Sequence, residues 1–247
     1  MRKRYDRNFF SGLATGSYRA ASVFLPEIRK HYAFGSVCDV GCGSGSWLRA
    51  AGECIPSGAR TGIDGEHARP IADCPGAIFM FQDLEERIRG VPRHDLVISM
   101  EVAEHLSPAR ASTFVDDLCA IGDVVLFSGA VPHQGGRHHV NERPQSYWMG
   151  LFRRNGYGAY DVHRKALWNH EAFTGCEYYV GNALLYVRDG TSLASELSAH
   201  RLEDNALVDV VHPGLFKMAT QPGVRRSFVV FLASLKQAFF RRVHRGG

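Results

Sequence analysis

The chain has 247 residues, 45% hydrophobic and 22% charged, which is apolar enough for a domain-sized core and excludes a disordered or fibrous chain. The formal net charge is +4, but residues 224–247 carry five Arg, one Lys and no acid, leaving 23 basic against 25 acidic residues elsewhere. That excludes a nucleic-acid footprint over the whole surface and confines the basic character to a tail. No run of 18 apolar residues predicts a membrane span, and the basic start "MRKRYDRNFFSGLATG" lacks the apolar stretch of a signal peptide, so a cytoplasmic chain is expected. Six cysteines without a CxxC pair fit reduced, buried thiols in such a compartment.

In chain order, residues 11–34 read as a helical lead-in beside the first strand, "SVCDV" at 36–40. "SWLRAA" (46–51) opens a helix, and "ARTGID" (59–64), "AIFMF" (77–81) and "DLVISM" (95–100) are the next strands. The segment 107–121 carries a helix start signal, Ser107 as cap and Pro108 at the first helical position. "DVVLFS" (123–128) is a fifth strand, and 144–157 reads as a helix ended by Gly156. Strand-like runs near 157–163 and 178–187 suggest an antiparallel hairpin at one edge. Strands alternating with helices predict a parallel sheet covered on both faces. Three segments result: a lead-in or lid (1–35), a central domain (36–190) and an extension with a basic amphipathic tail (191–247). The tail stretch 227–245 mixes apolar and basic residues, a pattern that can lie on a membrane surface; docking on the domain is the alternative.

The most specific signal is "VCDVGCGSGSW" (37–47). Gly41, Gly43 and Gly45 occupy a strand-to-helix turn, where the backbone bends tightly and a ligand comes close. Asp64 ends the following strand, where an acid can hold both hydroxyls of a ribose. A dinucleotide fingerprint would need Gly or Ala where Ser46 stands, and a Walker loop would need a lysine that is absent. Asp39, just before the loop, disfavours a pyrophosphate and suits an ammonium group.

"DVGCGSG" resembles motif I of the class I S-adenosylmethionine-dependent methyltransferases, "GIDGEH" their second-strand motif, "FQDLEE" their third and "HDLVISMEVAEHL" their fourth. The resemblance spans about residues 30–190. It implies an α/β, Rossmann-like, doubly wound sheet of seven strands with the last one antiparallel. It also implies S-adenosylmethionine as cofactor, Asp64 as the ribose acid, Gln82 or Asp83 near the adenine, and the backbone near Ser99 and Met100 at the methionine end.

"SMEVAEHL" (99–106) brings Glu101, Glu104 and His105 close together, and helical spacing would put them on one face. After the neighbouring fifth strand, "PHQGGRHHVNE" (132–142) supplies His133, His138 and His139. Two carboxylates and two imidazoles suit a divalent ion, Mg²⁺ or Mn²⁺. Glu-x-x-Glu-His followed by His-x-x-Glu resembles the metal site of small-RNA 3′-terminal 2′-O-methyltransferases, which implies Glu101, Glu104, His105 and His139 as ligands. Leu106 departs from that family, which has a histidine there. His139, His138 and Glu104 are the candidate catalytic residues; without a metal, His139 becomes a base oriented by the glutamates, or the cluster is structural.

Aromatics at Tyr147, Trp148, Trp168, Tyr178 and Tyr179 could line an acceptor pocket or pack in the core. The overall pattern is similar to bacterial methyltransferases of glycan and polysaccharide synthesis. It implies O-methylation of a sugar or oligosaccharide hydroxyl. The alternatives are an RNA 2′-O-methyltransferase, which the near-neutral body disfavours, a metal-independent small-molecule enzyme, and a regulator that binds the cofactor without turnover.

Overall fold

A computed structural model describes residues 7–203 and 208–220. Seven strands form one sheet in the order β3-β2-β1-β4-β5-β7-β6. They are β1 (Ser36–Val40), β2 (Ala59–Asp64), β3 (Ile78–Phe81), β4 (Leu96–Met100), β5 (Val124–Ser128), β6 (Tyr157–Tyr160) and β7 (Leu184–Arg188). The first five pair parallel, and β7 runs antiparallel between β5 and β6. This is the doubly wound, Rossmann-like sheet that the resemblance implied. The order turns back beside β1 and β4, where such sheets open a crevice at their carboxyl ends.

Alternation along the strands divides the core in two. Val37, Leu96, Ile98, Leu126 and Leu185 face one way, against Phe24, Leu25 and Ile28 of α1 (Arg7–Arg29) and Leu48 of α2 (Ser46–Cys54). Cys38, Val40, Val97, Val125, Phe127 and Tyr186 face the other way. They meet Phe114, Val115 and Leu118 of α3 (Ala111–Ile121) and Trp148 and Phe152 of α4 (Gln145–Arg154). Phe152 stacks on Tyr186 at 3.8 Å between ring centroids, fixing α4 to the sheet. All six cysteines are free thiols, five of them buried. Among the described residues no helix is long and apolar enough to cross a membrane.

Four local expectations are corrected. Ser107 does not cap α3: a 3-10 turn, Pro108–Arg110, comes first, and the Ser107 hydroxyl donates to Glu85 instead. The late strand pair is antiparallel but not a hairpin. Its connection holds α5 (Arg164–Leu167) and α6 (Tyr178–Asn182), so the run at 178–187 is a helix followed by a strand. Glu101, Glu104 and His105 do not share a helical face; Glu101 is left-handed at φ 58°, and only Ala103–His105 form a single 3-10 turn. The helical lead-in ends at Arg29, five residues before the expected limit. After β7 come α7 (Ser192–Glu196) and α8 (Pro213–Thr220); the basic stretch 227–245 lies outside the described residues.

Candidate active site

One cavity of about 940 Å³ opens at the carboxyl ends of β1, β2 and β4. That size suits a cofactor together with a small acceptor. Its first wall is the glycine loop. Gly41, Gly43 and Gly45 have φ of 83°, 53° and 87°, the left-handed region that glycine enters without a steric cost. At Gly41 a Cβ would lie 2.3 Å from Cγ2 of Val102, so the loop sits directly on the turn after β4.

Asp64 is fixed by this loop. One carboxylate oxygen accepts the Gly43 N–H at 2.7 Å and the other the Gly65 N–H at 2.7 Å. Burial raises its pKa, while these two N–H groups and His67 pull it down. Asp39 is buried and one of its oxygens has no partner among the described residues. Burial, and next the charge of Asp64, pushes the Asp39 carboxyl up to about 8. An unpartnered acid beside a glycine loop suits a cationic group on the ligand.

The second wall comes from the ends of β4 and β5. The backbone of Glu104 ties the two loops together: its carbonyl accepts the N–H groups of Val140 and Asn141 at 2.9 and 3.1 Å. This brings ligand atoms of Glu104, His105 and His139 within 4.8 Å of one another. Neither carboxylate oxygen of buried Glu104 has a hydrogen-bond partner of good geometry among the described residues. Burial, and then Glu101, holds its pKa well above the ordinary carboxylate range. Burial, followed by neighbouring His139, pushes the His105 imidazole down to about 4, so it is neutral at physiological pH. His139 points Nε2 at Glu104 at 4.0 Å and Nδ1 at Glu142 at 3.0 Å.

Glu101 stands beside this cluster rather than in it. The Gln134 amide donates to one carboxylate oxygen at 2.5 Å and the Asn182 amide to the other at 3.2 Å. Burial raises its pKa, and the hydrogen bonds of Gln134, Ser128 and Asn182 oppose that. His138, expected as a base, is exposed and does not line the cavity. Its φ of 66° marks a sharp bend, which sends its side chain to solvent while His139 turns inward. His133 is also exposed.

Of the other expected residues, Asp39, Gly41, Gly43, Asp83 and Met100 line the cavity. Gln82 does not: its amide is engaged with the backbone of Arg89, closing the loop after β3. Ser99 is fully buried behind the wall. Tyr178 and Tyr179 line the cavity, whereas Trp148 is core and Trp168 packs at a tilt against His212. Tyr147 packs outside the cavity. The residues that sequence reasoning missed are Ser17, Trp47, Gln134 and Arg137 on the lining, and Asn182 and Glu142 behind it. Trp47, two residues past the glycine loop, and Glu142, three past His139, had a local cue. Ser17, Gln134 and Asn182 reach the site only through tertiary packing, as where the Tyr179 hydroxyl meets Ser17 at 2.7 Å.

No protein-family model and no curated protein matches the chain. Solved structures do. An amino pentose methyltransferase of calicheamicin biosynthesis from Micromonospora echinaspora, with S-adenosylmethionine bound, is 14% identical, with a TM-score of 0.55 over 76% of this chain and 99% of that one. Magnesium protoporphyrin IX methyltransferase from Synechocystis, also with S-adenosylmethionine, is 18% identical, with a TM-score of 0.50 over 76% and 87%. An O-methyltransferase family protein from Burkholderia thailandensis is 13% identical, with a TM-score of 0.53 over 75% and 58%. The chain spans little more than half the length of the last, and 55% of human N-acetylserotonin methyltransferase. At these identities the likeness establishes the fold.

Proposed function

We propose that the chain is an S-adenosylmethionine-dependent O-methyltransferase whose acceptor is a hydroxyl of a sugar or polysaccharide precursor. The observation that carries this reading is one cavity shared by two kinds of wall. The glycine loop and Asp64 suit the ribose and methionine parts of the cofactor, and buried Glu104 with His105 and His139 suits an activated acceptor. The fold neighbours solved with S-adenosylmethionine support the cofactor, and the amino pentose enzyme, matched over 99% of its length, supports a sugar.

Methyl transfer displaces a neutral thioether, so the leaving group needs no acid. The barrier lies at the alcohol, a poor nucleophile until its proton is lost. Without a metal, His139 becomes the base in this reading, since it lines the cavity with Nε2 toward Glu104 and a base must come within about 3.2 Å of the proton it takes. Tyr178 and Tyr179 offer flat apolar faces of the kind that sugar rings pack against. Glu104, His105 and His139 are of the right type and spacing for a divalent ion such as Mg²⁺ or Mn²⁺, and an orphaned buried carboxylate is what such an ion would satisfy. When bound, the ion would supply Lewis-acid lowering of the acceptor pKa. Glu101, with both oxygens engaged by amides, fits poorly as a fourth ligand.

Titration calorimetry with S-adenosylmethionine tests the cofactor half. Asp64→Ala should weaken binding by about 1.5–3 kcal/mol, the worth of charge-assisted bonds to the ribose; equal affinity would refute the assignment. Labelled-cofactor assays against a panel of saccharide hydroxyls test the other half. Glu104→Ala and His139→Ala should lose turnover while still binding cofactor, and full turnover in excess chelator would remove the metal.

A further inference from the structure

Glu142 is held by two backbone donors and faces a ring nitrogen of His139. One carboxylate oxygen accepts the Gly135 N–H at 2.7 Å and faces His139 Nδ1 at 3.0 Å; the other accepts the His133 N–H at 2.9 Å. Those two backbone donors sit at φ of 67° and 70°, so the carboxylate gathers a loop bent twice through the left-handed region. At His133, which is not a glycine, such a bend persists only where other contacts hold it. A carboxylate already accepting two backbone N–H groups can offer His139 nothing but a further acceptor. The Nδ1 facing it must therefore carry a hydrogen, and in the neutral ring Nε2 is left with the lone pair. Nε2 is the atom that faces Glu104 across the cavity wall.

We infer that Glu142 is a positioning residue: it holds His139 in the Nδ1–H tautomer, with the Nε2 lone pair aimed into the cavity. The inference rests on the reading of the cavity as a methyltransferase site for its catalytic meaning, but the tautomer is a property of the resting chain. The same lone pair serves either role given to His139, because a base and a metal ligand both need it unprotonated. Groups that orient a histidine in this way are worth about 10- to 100-fold in activity or metal affinity.

The test is long-range ¹H–¹⁵N correlation of histidine side chains in the full chain, without acceptor and in chelator, with His139 identified by the signal missing from His139→Asn. Wild type should show the pattern of a single Nδ1–H tautomer. Glu142→Ala should show averaged tautomers at His139, and Glu142→Gln, whose amide oxygen can still accept from Nδ1, should restore most of the wild-type pattern. An unfolded alanine variant is recognised from its other histidine signals, and the glutamine variant then decides alone, since a wild-type pattern there is expected and an Nε2–H pattern overturns the inference. An unchanged His139 pattern in folded Glu142→Ala, or an Nε2–H tautomer in wild type, would also overturn it. Cofactor calorimetry on the same samples separates the two ideas. A chain that shows the tautomer switch and binds no S-adenosylmethionine keeps this inference and loses the proposed function.

Discussion

The two walls of the cavity are built on opposite principles. On the glycine side, backbone N–H donors satisfy both oxygens of Asp64, and one oxygen of buried Asp39 is left over among the described residues. On the acceptor side the ligand-facing groups are side chains, and the buried Glu104 carboxylate makes no hydrogen bond of good geometry among the described residues, with His139 Nε2 4.0 Å away. Backbone strain divides differently too. The glycine loop enters the left-handed region only at glycines, whereas the acceptor side does so at Glu101, His133 and His138, the only non-glycine residues with positive φ among those described. A backbone site is cheap to keep folded and tolerates no side chain. A side-chain site is costly to keep folded and can be changed one group at a time.

The sharpest way to break this contrast is Gly41→Ala. A Cβ there meets Val102 at 2.3 Å on a residue at φ 83°. Left-handed strain and overpacking together should cost about 2–5 kcal/mol. Thermal unfolding and cofactor binding should both suffer; a variant as stable as wild type would mean the loop yields easily.

Glu104→Gln should act in the other direction. Burial raises the Glu104 pKa in the folded chain above its unfolded value of about 4.3. The folded state therefore keeps a proton that the unfolded state releases, and stability falls as pH rises from about 4 toward the folded pKa. Glutamine removes that loss, so in chelator the variant should gain about 1–3 kcal/mol at neutral pH and little at pH 4. Denaturant melts at both pH values check it, and a destabilised variant would show that the contact with His139 outweighs the cost of burial. His138→Ala should do least, changing cofactor affinity by about twofold at most, because its side chain is exposed and does not line the cavity. A larger loss measured by calorimetry would place His138 in the site after all.

The same division separates what could be read in the sequence from what could not. β2 begins and ends where "ARTGID" does, and the other early strands agree within a residue, because their apolar runs are bounded by turn residues. The three loop glycines announce left-handed backbone directly. The acceptor side hid its geometry. Nothing local says that Glu101 bends out of line, since what holds it comes from Gln134 and Asn182, at sequence separations of 33 and 81. His138 and His139 are chemically equal neighbours, and which turns inward is set by contacts beyond them: Val140 and Asn141 on the Glu104 carbonyl, and Glu142 on His139. Likewise 178–182 is helical, with Tyr178 and Tyr179 on the cavity lining, although its tyrosines and valine favour strand.

The place of β7 in the sheet bears on the order in which the chain is made. β6 touches the sheet only through β7, and β7 lies between it and β5. As the chain leaves the ribosome, β1 to β5 can pair while the flank of β5 stays bare, and β6 emerges with no strand to pair with. Both edges are closed only when residues 184–188 slot in between them. Until then the nascent domain shows an open, apolar strand edge of the kind that recruits other chains. The last strand of the sheet is thus also its seal, and the interval between β5 and β7 is when a half-made copy is most exposed to aggregation.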